Sequence, residues 1–182
     1  INPHSPKINS RLVELLGGDE AFDFLSIYFA GRIAEDAVLT GGVYRGLNGK
    51  VLVKIQKELL LVALDDSMGG GLSKQQAAYQ QTVLQRHSRL GLMEQDEYFD
   101  RLIHHLANAL VACQVQDMNA IFKFQHRFAA IRPLLLEITI QEQHMELQSK
   151  QRMESNRFPS LGKLFGSKKS RVQCSGALSN RE

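Results

Sequence analysis

NGKVLVKIQKELLLVAL, residues 48–64, is the stretch from which the architecture of this chain can be worked out. Asn48 is a residue type that caps helices, so a helix is expected from Lys50 to about Leu64. Its apolar residues recur at steps of three and four and form one face: Leu52, Ile55, Leu59, Val62 and Ala63. Glycines interrupt the chain on both sides, at positions 41, 42 and 46 before this helix and 69–71 after it. The pattern therefore predicts one central helix between two breaks.

Two further helices are expected before the central one. Ser10 can cap a short helix that ends at Gly17 and Gly18, and Asp19 can cap the next. The apolar residues of that second helix share one face: Phe22, Leu25, Phe29 and Ile33. Residues 36–46 contain several glycines and are expected to form a loop.

Helical patterns continue after the central helix. Ser73 and Gln76 have the spacing of a capping box, which opens a polar helix ending at His87. Residues 94–113 have a strong amphipathic pattern, with apolar residues on one stripe. We therefore expect two helices here, separated by a turn at Gly91.

A last long helix is expected to begin after Asp117, which can cap it. Pro133 lies inside this pattern and is expected to kink the helix or to shift its hydrogen bonding. Strand-like alternation is nearly absent from the whole chain. The fold class predicted from the sequence is therefore all-α.

The composition is that of an ordinary globular protein. Of the 182 residues, 43% are hydrophobic and 23% are charged, which excludes a wholly disordered or collagen-like chain. There is no run of about 18 apolar residues of the kind that crosses a membrane. Two cysteines, Cys113 and Cys174, cannot make a disulfide framework, so a reducing, cytoplasmic location is expected.

Charge divides the chain into an acidic body and a basic end. Residues 149–182 contain eight basic and two acidic residues, a net charge of +6, whereas the remainder carries −3. Such a segment buries too little apolar area to offset the entropy of ordering it. We therefore expect an N-terminal extension at 1–9, a globular domain at 10–148 and a disordered tail at 149–182. The tail is either a solvated segment or a contact for an acidic membrane or protein, without a strong nucleic-acid signal.

Most familiar site types are missing from the sequence. The glycines at 69–71 have no preceding strand pattern and no following Lys-Ser/Thr, so they do not form a phosphate loop. There is no Cys-x-x-Cys or His-Glu-x-x-His motif. His104 and His105 are adjacent and point to different sides of a helix, so they cannot readily share one metal.

His87 is the remaining candidate for a ligand. Its imidazole could be an axial ligand of a haem iron, or it could be a surface or capping residue. A haem also needs an apolar slot, for which the candidates are Phe29, Tyr44, Leu52, Leu59, Phe99 and Leu102. Lys54 and Arg86 are candidate partners for its propionates. The alternative is that these apolar residues are plain core.

Six motifs between about Arg11 and Glu137 resemble the truncated, two-over-two haemoglobins, most closely their group I branch. They are Leu15-Leu16-Gly17-Gly18-Asp19-Glu20-Ala21, Arg32-Ile33-x-x-Asp36-x-x-Leu39, Gln56-x-Glu58-Leu59-Leu60, Arg86-His87-x-x-Leu90-Gly91-Leu92, Phe99-Asp100-x-x-x-x-His105-Leu106-x-x-Ala109-Leu110 and Ile131-x-Pro133-Leu134. Their order and near-correct spacing make the resemblance fairly specific. It implies a shortened globin domain over residues 10–148, in which two antiparallel helix pairs enclose haem b.

The resemblance also implies roles for individual residues. His87 matches the proximal iron ligand, and Gln56 matches a distal position that donates a hydrogen bond to bound dioxygen. Leu52 matches the distal gate. Tyr44 matches the aromatic residue that globins place against the porphyrin, if the chain has about one extra residue near Gly41.

One departure from the family concerns the distal tyrosine of its second helix. Depending on alignment, that position is Ala30 or Phe29, with Tyr28 just before, and neither alignment supplies the hydroxyl. Loss of one such hydrogen bond costs about 1–3 kcal/mol. Dioxygen is then expected to leave faster than in typical members, unless Gln56 or Tyr44 compensates.

The function implied by the resemblance is reversible binding of dioxygen and other diatomic ligands, including nitric oxide and carbon monoxide. Dioxygenation of nitric oxide to nitrate is the reaction implied, and it would need a reductase partner. The alternative is a haem or gas sensor, or a non-enzymatic interaction protein acting through the basic tail. A globin fold without haem is the third hypothesis.

Overall fold

Helices account for most of the described part of the chain, residues 11–65 and 73–157 of a computed structural model. In order they are α1 (Arg11–Leu15), α2 (Gly18–Glu35), α3 (Ala37–Gly41), α4 (Gly49–Leu64), α5 (Lys74–Arg89), α6 (Asp96–Ala112), α7 (Met118–Ala129) and α8 (Ile131–Arg157). These residues contain no strand, which confirms the all-α prediction. None of the described helices is long and apolar enough to cross a membrane.

Three predicted helix starts are confirmed by their side-chain caps. The Asn48 side chain accepts a hydrogen bond from the backbone N–H of Val51 at 2.9 Å. Ser73 opens α5 with a complete capping box. Asp117 accepts from two backbone N–H groups at the start of α7. Each cap satisfies donors that the first turn of a helix leaves without partners.

Two expectations for the N-terminal half are wrong. Asp19 does not cap α2, because the helix begins at Gly18 after Gly17, whose φ of 107° suits glycine. Asp19 lies in the first turn, where its negative charge interacts favourably with the positive end of the helix dipole. Residues 36–46 are not entirely loop, because Asp36 accepts from the N–H groups of Val38 and Leu39 and starts α3.

The predicted kink at Pro133 is replaced by a break between two helices. α7 ends at Ala129 and α8 begins at Ile131. Pro133 therefore lies in the first turn of α8. Backbone N–H groups in this turn have no partner within the helix, so the absence of an N–H on proline costs no helical hydrogen bond.

α8 continues to Arg157, so residues 149–157, which the sequence analysis assigned to a disordered tail, are helical. They contain no glycine or proline and are rich in Gln, Glu, Lys, Arg and Met, which favour helices. Residues 1–10, with the predicted extension and the Ser10 cap, lie outside the described residues, as do Gly69–Gly71 and 158–182. The chain divides into two compact units, 1–143 and 144–182.

Three aromatic rings join the helices at the centre of the first unit. Phe99, near the start of α6, stacks on Phe128, near the end of α7, with ring centroids 5.6 Å apart. Because only residues 113–117 connect these helices, this contact makes them antiparallel. Phe29 of α2 meets Phe128 edge-on at 6.2 Å. α2 also packs on α4 and α6, and α4 packs on α7.

Polar contacts hold α5 between its neighbours. Gln80 donates to the Asp65 carboxylate at 3.0 Å, which ties α5 to the end of α4. Ser88 donates to Glu142 of α8 at 2.8 Å, and Arg89 pairs with the same carboxylate. The orientation of α5 therefore depends on hydrogen bonds as well as on apolar packing.

Replacing Phe128 with alanine should remove the contact that three helices share. We expect Phe128→Ala to lower the free energy of unfolding by about 3–5 kcal/mol, measured by urea denaturation. Phe122 lies on the same helix but is 62% exposed, so Phe122→Ala should change stability by no more than about 0.5 kcal/mol. Equal losses in both variants would contradict the central role of Phe128.

Candidate functional site

His87 is completely buried on the last turns of α5, and only one of its ring nitrogens has a partner. Its Nδ1–H donates to the backbone oxygen of Val83, one turn earlier, at 2.9 Å. Its Nε2 is closed to solvent and has no hydrogen-bond partner. The bond to Val83 sets the tautomer in which the Nε2 lone pair is unused, an arrangement typical of metal-ligating histidines.

The charge state of His87 suits the same role. Burial lowers the pKa of His87 to about 4, against the opposing effect of the bond to Val83, and the Arg86 charge lowers it further. The imidazole is therefore neutral at neutral pH. A neutral imidazole can bind a metal ion without first losing a proton.

Gln56 and Tyr44 are two more buried polar residues without partners. Gln56 is completely buried on α4, and neither its amide nitrogen nor its amide oxygen has a hydrogen-bond partner. The Tyr44 hydroxyl, in the turn before α4, is also closed to solvent and unpartnered. Burial raises the pKa of Tyr44, and the Gln56 side chain acts in the opposite direction.

Unpartnered polar atoms in a protein interior are expensive. Each costs about 1–3 kcal/mol, and native proteins contain few of them. Among the described residues six such side-chain atoms occur: five lie on α4, on α5 and in the turn between α3 and α4, and the sixth, His105 Nδ1, lies on α6. Because α4 packs on α5, we take the five atoms on these elements as the candidate site.

The predicted apolar slot is buried throughout. Its members Phe29, Leu59, Phe99 and Leu102 are inaccessible to solvent, and Tyr44 and Leu52 are nearly so. Leu52 precedes Gln56 by four residues and therefore lies on the same face of α4. Phe29 and Phe99 both contact Phe128.

The inner face of α2 carries no tyrosine hydroxyl. Phe29 and Ala30 are both buried, whereas Tyr28 is 37% exposed. The Ser26 hydroxyl, also buried, donates to the backbone oxygen of Phe22. Gln56 and Tyr44 are therefore the donors expected from the sequence that α2 does not supply.

The two expected propionate partners occupy different environments. Lys54 is on the exposed side of α4. Arg86 forms a salt bridge with Glu58 of α4, so its charge already has a partner within the chain. A propionate would have to compete with Glu58 for Arg86.

Two features of the site were not predicted from the sequence, the buried Tyr79 hydroxyl and the pairing of Glu58. The Tyr79 hydroxyl is buried and unpartnered, and its pKa is raised to about 12 by burial and by Glu58, with Arg86 opposing. Tyr79 precedes His87 by eight residues on α5, so a helical wheel places both on one face. That periodicity is the signal that could have identified Tyr79, whereas only the fold brings Glu58 to Arg86.

A second polar cluster joins α6 to the start of α3. His105 Nε2 donates to the Asp36 carboxylate at 2.8 Å, and Arg101 donates to the same oxygen at 3.1 Å. Burial favours the neutral acid, but these donors and the N–H groups at the start of α3 prevail and lower the pKa of Asp36 to about 2. His105 therefore has a structural partner in this cluster.

Comparison of the chain with protein-family models, with curated proteins and with solved structures finds no match in any of the three. The resemblance to truncated haemoglobins consequently depends on the sequence motifs alone.

The buried state of His87 should make stability depend on pH. The pKa of His87 is about 4 in the folded chain against 6.5 for the free side chain, so the unfolded chain binds more protons between these values. The stability contributed by the neutral imidazole is complete above pH 6.5 and is lost progressively down to pH 4, by about 3 kcal/mol in total.

Urea denaturation at several pH values tests this dependence. His87→Leu should lack this loss between pH 6.5 and 4, whereas His126→Leu, at an exposed site on α7, should keep it. If wild type and His87→Leu lost stability equally over this range, His87 would not be a buried neutral residue.

Proposed function

We propose that the chain binds haem through His87 and uses it to bind dioxygen and other diatomic ligands. The observation that carries the proposal is the buried, neutral imidazole whose Nδ1–H is fixed on Val83 while its Nε2 lone pair has no partner. Imidazole nitrogen is a common axial ligand of haem iron. Bound haem would supply an open coordination position for a diatomic molecule.

The packing of the main helices suits a two-over-two arrangement. α2 contacts α4, α4 contacts α7, α7 contacts α6, and α6 contacts α2. A closed cycle of four helices can form two layers of two, and α6 and α7 are one antiparallel pair. We propose this truncated-globin architecture for the first unit.

Gln56 and Tyr44 are the donors that we assign to the bound diatomic ligand. Burial holds the pKa of Tyr44 above its usual value, so the hydroxyl keeps its proton and can donate. The Gln56 amide has two N–H donors without partners. Either residue can therefore replace the hydroxyl that α2 does not provide.

Entry of a flat cofactor requires part of this core to open. Nε2 of His87 and the polar atoms of Gln56 and Tyr44 are all closed to solvent, so α4 and α5 must move apart for haem to reach them. The Glu58–Arg86 salt bridge spans these helices, with the Arg86 side chain 40% and the Glu58 side chain 17% exposed, so it would have to break as they separate. Haem binding should then stabilise the folded chain by mass action.

Nitric oxide dioxygenation is a narrower version of this proposal. Nitric oxide would react with bound dioxygen to give nitrate, and a reductase partner would return the iron to its ferrous state. Gln56 and Tyr44 would retain dioxygen until nitric oxide arrives.

The first test is the visible spectrum of the purified chain after haem addition. We expect a sharp Soret band that shifts with carbon monoxide, together with a higher melting temperature. His87→Ala should weaken or alter the band, while His126→Ala should leave it unchanged. A spectrum like that of free haem in all three proteins would refute the proposal.

The second test is the rate at which dioxygen leaves the ferrous protein, measured by stopped flow. Removing one hydrogen bond of about 1–3 kcal/mol should raise this rate roughly ten- to a hundredfold in Gln56→Leu or Tyr44→Phe. Gln81→Leu, at an exposed site on α5, is the matched control. Unchanged rates in both site variants would show that neither residue contacts the ligand.

A further inference from the structure

The two residues that directly follow His87 are bonded to one carboxylate of α8. Glu142 accepts a hydrogen bond from the Ser88 hydroxyl at 2.8 Å and another from Arg89 Nε at 2.9 Å. The Glu142 side chain is only 16% exposed, and Ser88 is buried. The two bonds span 54 and 53 positions of the chain. A largely buried acidic group therefore fixes the end of α5 to α8.

The surroundings of Glu142 make this contact specific. Thr139 precedes it on α8, and the Thr139 hydroxyl oxygen lies 2.9 Å from Ser88 Oγ. A carboxylate near the C-terminal end of a helix is repelled by the helix dipole, so Glu142 is unfavourable at the end of α5 unless donors offset the repulsion. Ser88 and Arg89 supply those donors, and hydrogen bonds to a charged group are stronger than neutral ones. Loss of Glu142 should therefore release the end of α5 from α8.

The His87 ring is fixed relative to its own helix. Its Nδ1–H bonds to the backbone oxygen of Val83, one turn earlier on α5, and this bond does not fix α5 relative to the other helices. The position of Nε2 in the core therefore depends on how this part of α5 is anchored. The polar contacts nearest to His87 are the Arg86 salt bridge to α4 and the Glu142 contact with α8.

We infer that Glu142 is a positioning residue for His87, because its bonds to the two following residues hold the His87 imidazole inside the core. When these bonds open, the last turn of α5 can leave α8 and expose Nε2 to solvent. In the haem-bound protein, a state that rests on the proposed function, the same contact determines how the imidazole is held on the iron. α8 thereby controls a ligand that belongs to α5.

The reactivity of His87 with diethyl pyrocarbonate tests this role in the full 182-residue chain without haem. Mass spectrometry gives the rate at which each histidine is modified. We expect His87 to react roughly ten- to a hundredfold faster in Glu142→Ala than in wild type, because the charge-assisted bonds that keep it buried are lost. His126, exposed on α7, is the internal reference and should react equally in both proteins. Glu146→Ala removes an exposed carboxylate from the same helix and should leave the His87 rate unchanged.

Two further variants separate positioning from general stability. Phe128→Leu weakens core contacts of α7 with α2 and α6, so it should destabilise the chain and leave the His87 rate near that of wild type. If it exposed His87 as much as Glu142→Ala does at a comparable loss of unfolding free energy, the inference would be wrong.

Ser88→Ala removes one bond to Glu142 and keeps the carboxylate and its pair with Arg89. We expect a smaller increase in the His87 rate than in Glu142→Ala. If Glu142→Ala does not fold, Ser88→Ala decides the question by itself. A His87 rate equal to that of wild type in Ser88→Ala and in any folded Glu142→Ala would overturn the positioning role.

The iron–histidine stretching band in the resonance Raman spectrum of the ferrous, haem-loaded protein gives a second readout. Glu142→Ala should shift this band and raise the rate of haem loss roughly ten- to a hundredfold, while Glu146→Ala changes neither. If the chain takes up no haem and Glu142→Ala still exposes His87, the proposed function fails and the positioning role stands. If haem binds through His87 and Glu142→Ala changes neither His87 reactivity, nor the band, nor haem loss, the proposed function stands and this inference is refuted.

Discussion

The contact of Phe128 with Phe29 and Phe99 is the interaction on which the rest of the first unit depends. It brings together the end of α7, the inner face of α2 and the start of α6. Arg132 extends the cluster, since its guanidinium lies 5.7 Å from the centre of the Phe99 ring and its two ends pair with Asp96 and Asp100. The aromatic core thereby also determines where α8 begins relative to α6.

α5 is attached in a different way, and this difference matters for the proposed function. Its ties to α4 and α8 include hydrogen bonds and salt bridges, several of them partly exposed. In each salt bridge the arginine is exposed but the carboxylate is largely buried, and the Gln80–Asp65 bond is buried. Under the proposed function these ties would have to open for haem to enter, while the Phe128 cluster keeps the other helices together.

The candidate site lowers the folding stability of the chain when no ligand is bound. His87, Gln56 and Tyr44 lose their hydration on burial and gain too few hydrogen bonds in return. A ligand that offers a metal ion to the imidazole and an acceptor to the amide and hydroxyl would recover that energy.

Features that depend on neighbouring residues could be derived from the chain itself. Asn48, Ser73 and Asp117 start helices because their side chains reach N–H groups two or three residues away. Apolar residues that recur at steps of three and four predict the buried faces of α4 and α6. His87 is a candidate ligand from its residue type and its place at the end of a predicted helix, whereas the roles of Gln56 and Tyr44 follow only from the resemblance to truncated haemoglobins. Contacts between distant residues were not accessible in this way. Glu58 meets Arg86, and Asp36 meets His105, only because helix packing brings together residues 28 and 69 positions apart. The burial that leaves His87 neutral, with one nitrogen bonded and the other free, is likewise a property of the packed helices, since desolvation depends on everything that surrounds a group in space.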